Sequence, residues 1–137
     1  MANMDLQIVD WASLAETRGQ LGTSFIRILG YFREDGARSI ELIEMAMRSG
    51  DAPAMIMPSH KLKSEARQFG GERLGQLAED IEMFARQCVE TRETPEQYVD
   101  RVVQLRPLFN SMMDAIDAET SPLVQRHKGF GTARRVA

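Results

Sequence analysis

The segment PSHKLKSEARQFGGERL, residues 58–74, contains His60, one of only two histidines in the chain, in a helical run that also carries Lys61 and Lys63. Histidine changes charge near neutral pH, and its ring can take up and release a charged group. A surface helix also mixes basic residues with an occasional histidine. On this pattern alone, an ordinary surface histidine is the simpler interpretation, and a chemical role needs further support.

A helical wheel shows where His60 points. With Leu62 at 0°, the core stripe lies within about 40° of it and consists of Met55, Leu62, Ala66 and Phe69. His60 lies at about 160°, between Arg67 at about 140° and Ser64 at about 200°. Lys63, at about 100°, is on the flank and one turn from His60. The histidine is therefore predicted to face outward, with a small residue and a cation close by that suit an anion on the ring.

Two apolar residues bracket this outward face. Ile56 and Met57 fall near about 120° and 220°, so the helix is more apolar than one buried stripe requires. Exposed apolar groups around a polar centre are typical of protein docking sites. Alternatively, a short helix around Trp11 and Leu14 folds over them, and the pattern leaves both possibilities open.

The elements that position these residues are all predicted to be helical. Apolar residues recur at spacings of three and four along the chain, and no segment alternates as a strand would. A short helix follows Asp10 as N-cap, and a long one follows Gly22–Thr23 and carries Gly36 on its apolar stripe, either for close packing or as a bend. The helix of His60 runs from about Ala52 to Phe69, with Asp51 as N-cap.

The second half of the chain continues this pattern. Gly70 and Gly71 separate the His60 helix from one that extends to Cys88, which we interpret as a core residue. Thr94 is the predicted N-cap of the last helix, with Pro95 at its first position and a kink at Pro107. Its apolar seam comprises Tyr98, Val102, Leu105, Phe109, Met112 and Ile116. The predicted fold is all-α: an antiparallel four-helix bundle with a short N-terminal helix.

Composition and charge limit the function classes. The chain of 137 residues suits one domain, which we expect to span residues 1–120. That part of the chain has a net charge of −7, from 13 basic and 20 acidic residues. Residues 121–137 carry four basic residues and no acid, and we expect a mobile, flexible tail. An acidic body argues against nucleic-acid binding. Without a signal peptide or a long apolar run, we expect a soluble cytoplasmic protein that does not enter a membrane.

The segment SHKLKSEARQFGGERLGQLAEDIE resembles the core motif of histidine-containing phosphotransfer (HPt) domains of bacterial phosphorelays. That motif is His-x-Leu-Lys-Gly, then an apolar residue with Gly, then Leu, then a Leu-Glu-like pair. His60, Leu62 and Lys63 match its first part. Phe69-Gly70, Leu74 and Ile81-Glu82 match the remaining parts in order, and the resemblance extends over roughly residues 10–90.

The resemblance implies a phosphocarrier of the HPt four-helix-bundle fold. His60 would accept a phosphoryl group from the aspartyl phosphate of a receiver domain, and Lys63 would help to neutralise it. Ile56, Met57, Ser64 and Arg67 would contact the receiver. The partners would be response-regulator receiver domains and a hybrid sensor histidine kinase, and the protein would be a monomer. It would need no cofactor of its own, because Mg²⁺ belongs to the receiver, and it would be a phosphotransfer intermediate rather than an ATP-dependent kinase.

Two residues need separate consideration. Ser64 stands where the family has glycine, and adds a hydroxymethyl group where a receiver would pack. Pro58 lacks the N–H that would bond the carbonyl of Ala54, so it either kinks the helix and redirects His60 or marks where the regular helix begins.

Other functions remain open to different degrees. A non-catalytic adaptor could bind a receiver or kinase through the same face without using His60. A sensor-kinase dimerisation helix is disfavoured because Lys61, rather than an acidic residue, follows the histidine. A di-iron bundle is excluded, since neither His60 nor His127 has a glutamate three residues before it.

Overall fold

The computed structural model describes residues 7–120, and every regular element in that part of the chain is helical. The helices are α1 (Trp11–Leu21), α2 (Phe25–Arg48), α3 (Ala52–Gln68), α4 (Glu72–Thr91), α5 (Val99–Val102) and α6 (Leu105–Thr120). The long helices α2, α3, α4 and α6 form the antiparallel bundle that the sequence predicts. The predicted tail, residues 121–137, lies outside the described residues.

Helix α3 packs against the helices before and after it in the chain, with its most extensive contacts to α4 and α2. Its apolar stripe is buried as predicted: Met55, Leu62 and Ala66 are inaccessible to solvent, and Phe69 nearly so. The ring of Phe69 stacks on Phe32 of α2 at 5.3 Å between centroids, and Phe32 meets Phe109 of α6 edge-on at 5.6 Å. These aromatic contacts join three of the four bundle helices in one core.

Capping side chains fix the starts of α1 and α3 where the sequence predicts them. Asp10 accepts a hydrogen bond from the backbone N–H of Ser13, and Asp51 accepts one from Ala54. Each aspartate satisfies a donor that the first turn of a helix leaves unpaired. The start of α3 is therefore set by neighbouring residues, and this also fixes the direction in which the side chain of His60 points.

The α3–α4 turn depends on Gly70, whose φ of 82° is in the left-handed region that glycine adopts readily. Its carbonyl accepts a hydrogen bond of 2.7 Å from the backbone N–H of Asp10, and a Cβ at this position would lie 2.7 Å from the Asp10 carbonyl oxygen. Thr17 also donates to the carbonyl of Gln68 at 2.6 Å. Helix α1 therefore packs beside the C-terminal end of α3.

The last helix differs from its prediction. Pro95 precedes a short 3-10 turn, Glu96–Tyr98, and the helical segment is interrupted between α5 and α6. Thr94 is not the N-cap of a long helix. Pro107 lies in the first turn of α6 rather than in a helix interior, and the interruption precedes it at Val103 and Gln104. The apolar seam nevertheless packs into the bundle, with Leu105, Met112 and Ile116 fully buried.

Ion pairs reinforce the contact of α6 with α2. Arg106 bonds Glu44 through two nitrogens, at 2.7 and 3.2 Å, and Arg33 lies 2.6 Å from Asp117. Along residues 7–120, no helix combines the length and apolar character needed to cross a membrane.

Gly36 serves close packing, the first of the two possibilities that its position suggested. A Cβ on Gly36 would lie 2.6 Å from Cε1 of Phe109, whereas a Cβ on Gly30 of the same helix would meet nothing within 4 Å. We expect Gly36→Ala to lower the free energy of unfolding by about 1–3 kcal/mol through overpacking. Gly30→Ala should raise it by up to about 1 kcal/mol through helix propensity. Urea unfolding followed by circular dichroism measures both, and equal stabilities for the two variants would contradict this packing.

Candidate functional site

His60 projects outward from α3, as the helical wheel predicts. Its side chain is 48% exposed, while Ser59 and Leu62, on the opposite face of the helix, are buried. Pro58 lies inside α3, which runs without interruption from Ala52 to Gln68. Pro58 therefore does not mark the start of the regular helix.

The apolar residues beside His60 are not covered by α1, so that alternative is wrong. Helix α1 contacts the other end of α3, at Gln68 and Gly70. Met57 is 66% exposed, and Ile56 is partly buried against the core. An accessible apolar group thus stands one turn before His60 on the same face of α3.

The ring of His60 is held by a carboxylate from the neighbouring helix. Its Nδ1 lies 3.0 Å from Oε2 of Glu82 on α4. Glu82 is almost fully buried, with 4% of its side chain exposed, and its carboxylate also contacts two positively charged side chains. Nζ of Lys63 lies 2.9 Å from Oε1, while Arg86 donates to Oε2 through Nη2 at 2.8 Å and Nε at 3.1 Å.

These contacts keep Glu82 ionised. Burial alone would raise the pKa of its carboxyl, but the bonds from Lys63, Arg86 and His60 outweigh burial and lower the pKa from 4.5 to about 2. An ionised carboxylate can only accept hydrogen bonds, so the ring nitrogen facing it must carry the proton. In the neutral ring, Nδ1 is then the donor and Nε2 holds the free lone pair.

The remaining predicted site residues lie on or beside the same face. Ser64 is exposed, and its hydroxyl makes a long bond of 3.4 Å back to the carbonyl of His60. Arg67 is partly buried two turns beyond His60 and forms ion pairs with Glu72 at 3.2 Å and Glu79 at 2.9 Å. The structure therefore groups His60 and Lys63 closely, places Met57 and Ser64 one turn to either side, and puts Arg67 at the edge.

The sequence did not indicate the part played by two residues of α4. The motif includes Glu82 but does not indicate its contact to the ring, and nothing in the motif singles out Arg86. A signal was present, since the two lie four residues apart and such pairs meet on one side of a helix. Their distance from His60 along the chain concealed the contact.

The low pKa of Glu82 predicts a loss of stability in acid. Because the folded pKa is about 2 and the ordinary value is 4.5, the contribution is fully present above about pH 4.5 and disappears as the pH falls toward 2. It amounts to roughly 3 kcal/mol at neutral pH. Glu82→Gln should remove most of this dependence, whereas Glu90→Gln, an exposed position of α4, should retain it. Unfolding free energies measured between pH 2 and 7 test this, and equal acid dependence in both variants would contradict the burial of an ionised Glu82.

Two comparisons with known proteins found matches to this chain. The Hpt domain matches the chain over residues 27–119. The fold is similar to the crystal structure of histidine-containing phosphotransfer protein B (HptB) from Pseudomonas aeruginosa PAO1, with a TM-score of 0.71 and 20% sequence identity. That similarity covers 82% of this chain and 93% of the other. No curated protein matches the chain. Since the Hpt match spans well over half of the residues, the chain belongs to the Hpt domain family.

Proposed function

We propose that this protein relays a phosphoryl group between receiver-domain aspartates in a two-component phosphorelay, through a phosphohistidine at His60. The observation that carries the proposal is the bond from Nδ1 of His60 to the buried Glu82, 3.0 Å long, on an otherwise exposed ring. This bond directs the unprotonated nitrogen, Nε2, to the solvent side, where a partner can approach. Membership of the Hpt domain family supports the same function.

The transfer step needs little from this chain besides a positioned ring. The lone pair of Nε2 attacks the phosphorus of an aspartyl phosphate, the bond from phosphorus to the carboxyl oxygen breaks, and the aspartate leaves as a carboxylate. The proton stays on Nδ1, so the ring becomes positively charged while the bond forms, and Glu82 stabilises that charge. The reverse step returns the phosphoryl group to a second receiver by the same path.

Lys63 contributes electrostatically in this proposal. Its ammonium lies 2.9 Å from Oε1 of Glu82 and is 20% exposed, one helical turn from His60. From there its charge offsets part of the negative charge that the phosphoryl group brings, without a bond to that group. The Mg²⁺ ion and the catalytic aspartate would be supplied by the receiver, so this chain would need no cofactor of its own.

The docking face would be the outward side of α3 around His60. Met57 and the partly buried Ile56 supply apolar contact. Ser64 obstructs a partner little, because its hydroxyl turns back toward the His60 carbonyl. Arg67, with its acidic partners, provides a polar edge. An apolar patch with a polar edge resembles the anatomy of transient protein interfaces. We propose that receiver domains of response regulators and of a hybrid sensor kinase bind here in the cytoplasm, to a monomer.

The central prediction concerns labelling. His60→Gln should abolish acid-labile labelling by a phosphorylated receiver and leave the fold intact, because the side chain lies at the surface. His127→Gln removes the other histidine and should be labelled like the parent protein. Radiolabel transfer with circular dichroism measures both effects. Receiver binding without any label would instead support a non-catalytic adaptor, and label retained by the His60 variant would contradict the site.

The docking face gives a second prediction. Met57→Glu should weaken receiver binding at least about tenfold, because it places a charge in the apolar part of the interface. Ile26→Glu is a matched control, since Ile26 is 61% exposed but lies at the start of α2 rather than on α3. Isothermal titration calorimetry compares the two variants. If both bind with the parent affinity, the docking surface is elsewhere.

A further inference from the structure

The cluster around Glu82 contains more positive than negative charge. The carboxylate of Glu82 forms ion pairs with two positively charged side chains, Lys63 and Arg86. These three side chains together have a net charge of +1 while the ring of His60 is neutral. A single carboxylate needs only one cation for neutrality. The second cation is therefore available to an anion that arrives at His60.

We infer that Arg86 is a phosphoryl-binding residue: its guanidinium moves away from Glu82 and contacts the phosphoryl group once His60 carries one. The inference rests on the proposed function. Arg86 and the His60 ring are neighbours because both bond Oε2 of Glu82. Nη2 of Arg86 and Nδ1 of His60 each lie within 3.0 Å of that oxygen, so the two nitrogens are at most 6 Å apart. The guanidinium is thus adjacent to the ring before any phosphoryl group arrives.

Exposure distinguishes Arg86 from Lys63. The side chain of Arg86 is 48% exposed, whereas that of Lys63 is 20% exposed and bonds the other carboxylate oxygen, Oε1. Arg86 can move without leaving Glu82 unpaired, because Lys63 remains 2.9 Å from it. The carboxylate would then still hold Nδ1, so the ring keeps its orientation while the cation moves.

The chemistry favours that movement. A phosphoryl group carries a charge of about −1.5 to −2 and three acceptor oxygens, and guanidinium binds such oxygens in a two-pronged geometry. The other cations of this face have partners away from the ring: Lys61 lies 3.6 Å from Asp35, and Arg67 pairs with Glu72 and Glu79. Arg86 is therefore the cation best placed to follow the phosphoryl group.

Titration of the phosphoryl group itself tests this contact. In a His127→Gln background, His60 is phosphorylated with phosphoramidate. The P–N bond of phosphoramidate breaks and the phosphoramidate nitrogen leaves as ammonia after protonation by solvent. Nε2 of His60 forms the new bond to phosphorus. The ³¹P shift is then followed against pH in the parent protein, Arg86→Ala, Arg86→Lys and Arg73→Ala. Arg73 is an exposed arginine of the same helix about 20 Å away along its axis, so its variant controls for net charge.

We expect Arg86→Ala to raise the pKa of the phosphoryl group by roughly one pH unit, because a nearby cation favours its dianion. Arg86→Lys should give a smaller rise, and Arg73→Ala should match the parent. Equal titrations for Arg86→Ala and Arg73→Ala would overturn the inference. So would loss of the Nδ1–H tautomer of His60 in unphosphorylated Arg86→Ala, seen by ¹⁵N NMR, since Arg86 would then act only through Glu82.

This experiment is independent of any receiver. If receivers fail to label the parent protein, the proposed relay function fails, yet the ³¹P titration still reports whether Arg86 contacts a phosphoryl group on His60. If receivers label the parent and the titration is unaffected by Arg86→Ala, the relay function stands and the assignment of Arg86 falls.

Discussion

The site depends on one enclosed carboxylate. Glu82 lies between α3 and α4 with 4% of its side chain exposed, and it bonds His60, Lys63 and Arg86 together. Removing a single carboxylate from water is costly, and the cost is recovered only where cations and hydrogen bonds surround it. Glu82 meets that condition because both of its oxygens face positively charged groups. The same contacts orient the ring of His60, so the stability of the fold and the proposed chemistry depend on the same interaction.

This interaction imposes a register on the two helices. His60 and Glu82 are 22 residues apart, and they meet because the turn at Gly70 and Gly71 reverses the chain so that α4 runs back along α3. The positive φ of Gly70 and its bond to Asp10 fix that turn and attach α1 to it. The N-terminal helix therefore supports the site from a distance and leaves the apolar surface at Met57 open.

Local patterns predicted the fold and the direction of His60 well. The caps at Asp10 and Asp51 and the buried stripe of α3 depend only on neighbouring residues and a regular helical period, which a sequence displays directly. The interruption before Leu105 was missed because the a/d spacing continues across it, so periodicity could not reveal that the backbone leaves the helix. Pro107 was then assigned to a helix interior when it lies in a first turn.

The contact between His60 and Glu82 was beyond the reach of a helical wheel. A wheel gives the direction of each side chain from its own axis, but neither the register nor the distance between two helices. The family resemblance marked Glu82 as part of a pattern without giving it a role. The sequence thus singled out His60 and one nearby cation, whereas the residue that orients the ring and the second cation, Arg86, became visible only when α3 and α4 were placed together.

The proposed phosphotransfer requires that Nε2 of His60, rather than Nδ1, is free to react. The most direct test is to transfer the phosphoryl group from a phosphorylated receiver to ¹⁵N-labelled protein and to identify the phosphorylated ring nitrogen by ¹⁵N–³¹P NMR. Because Glu82 occupies Nδ1, the phosphoryl group is predicted on Nε2. A phosphoryl group on Nδ1, or no phosphohistidine at all, would contradict the account.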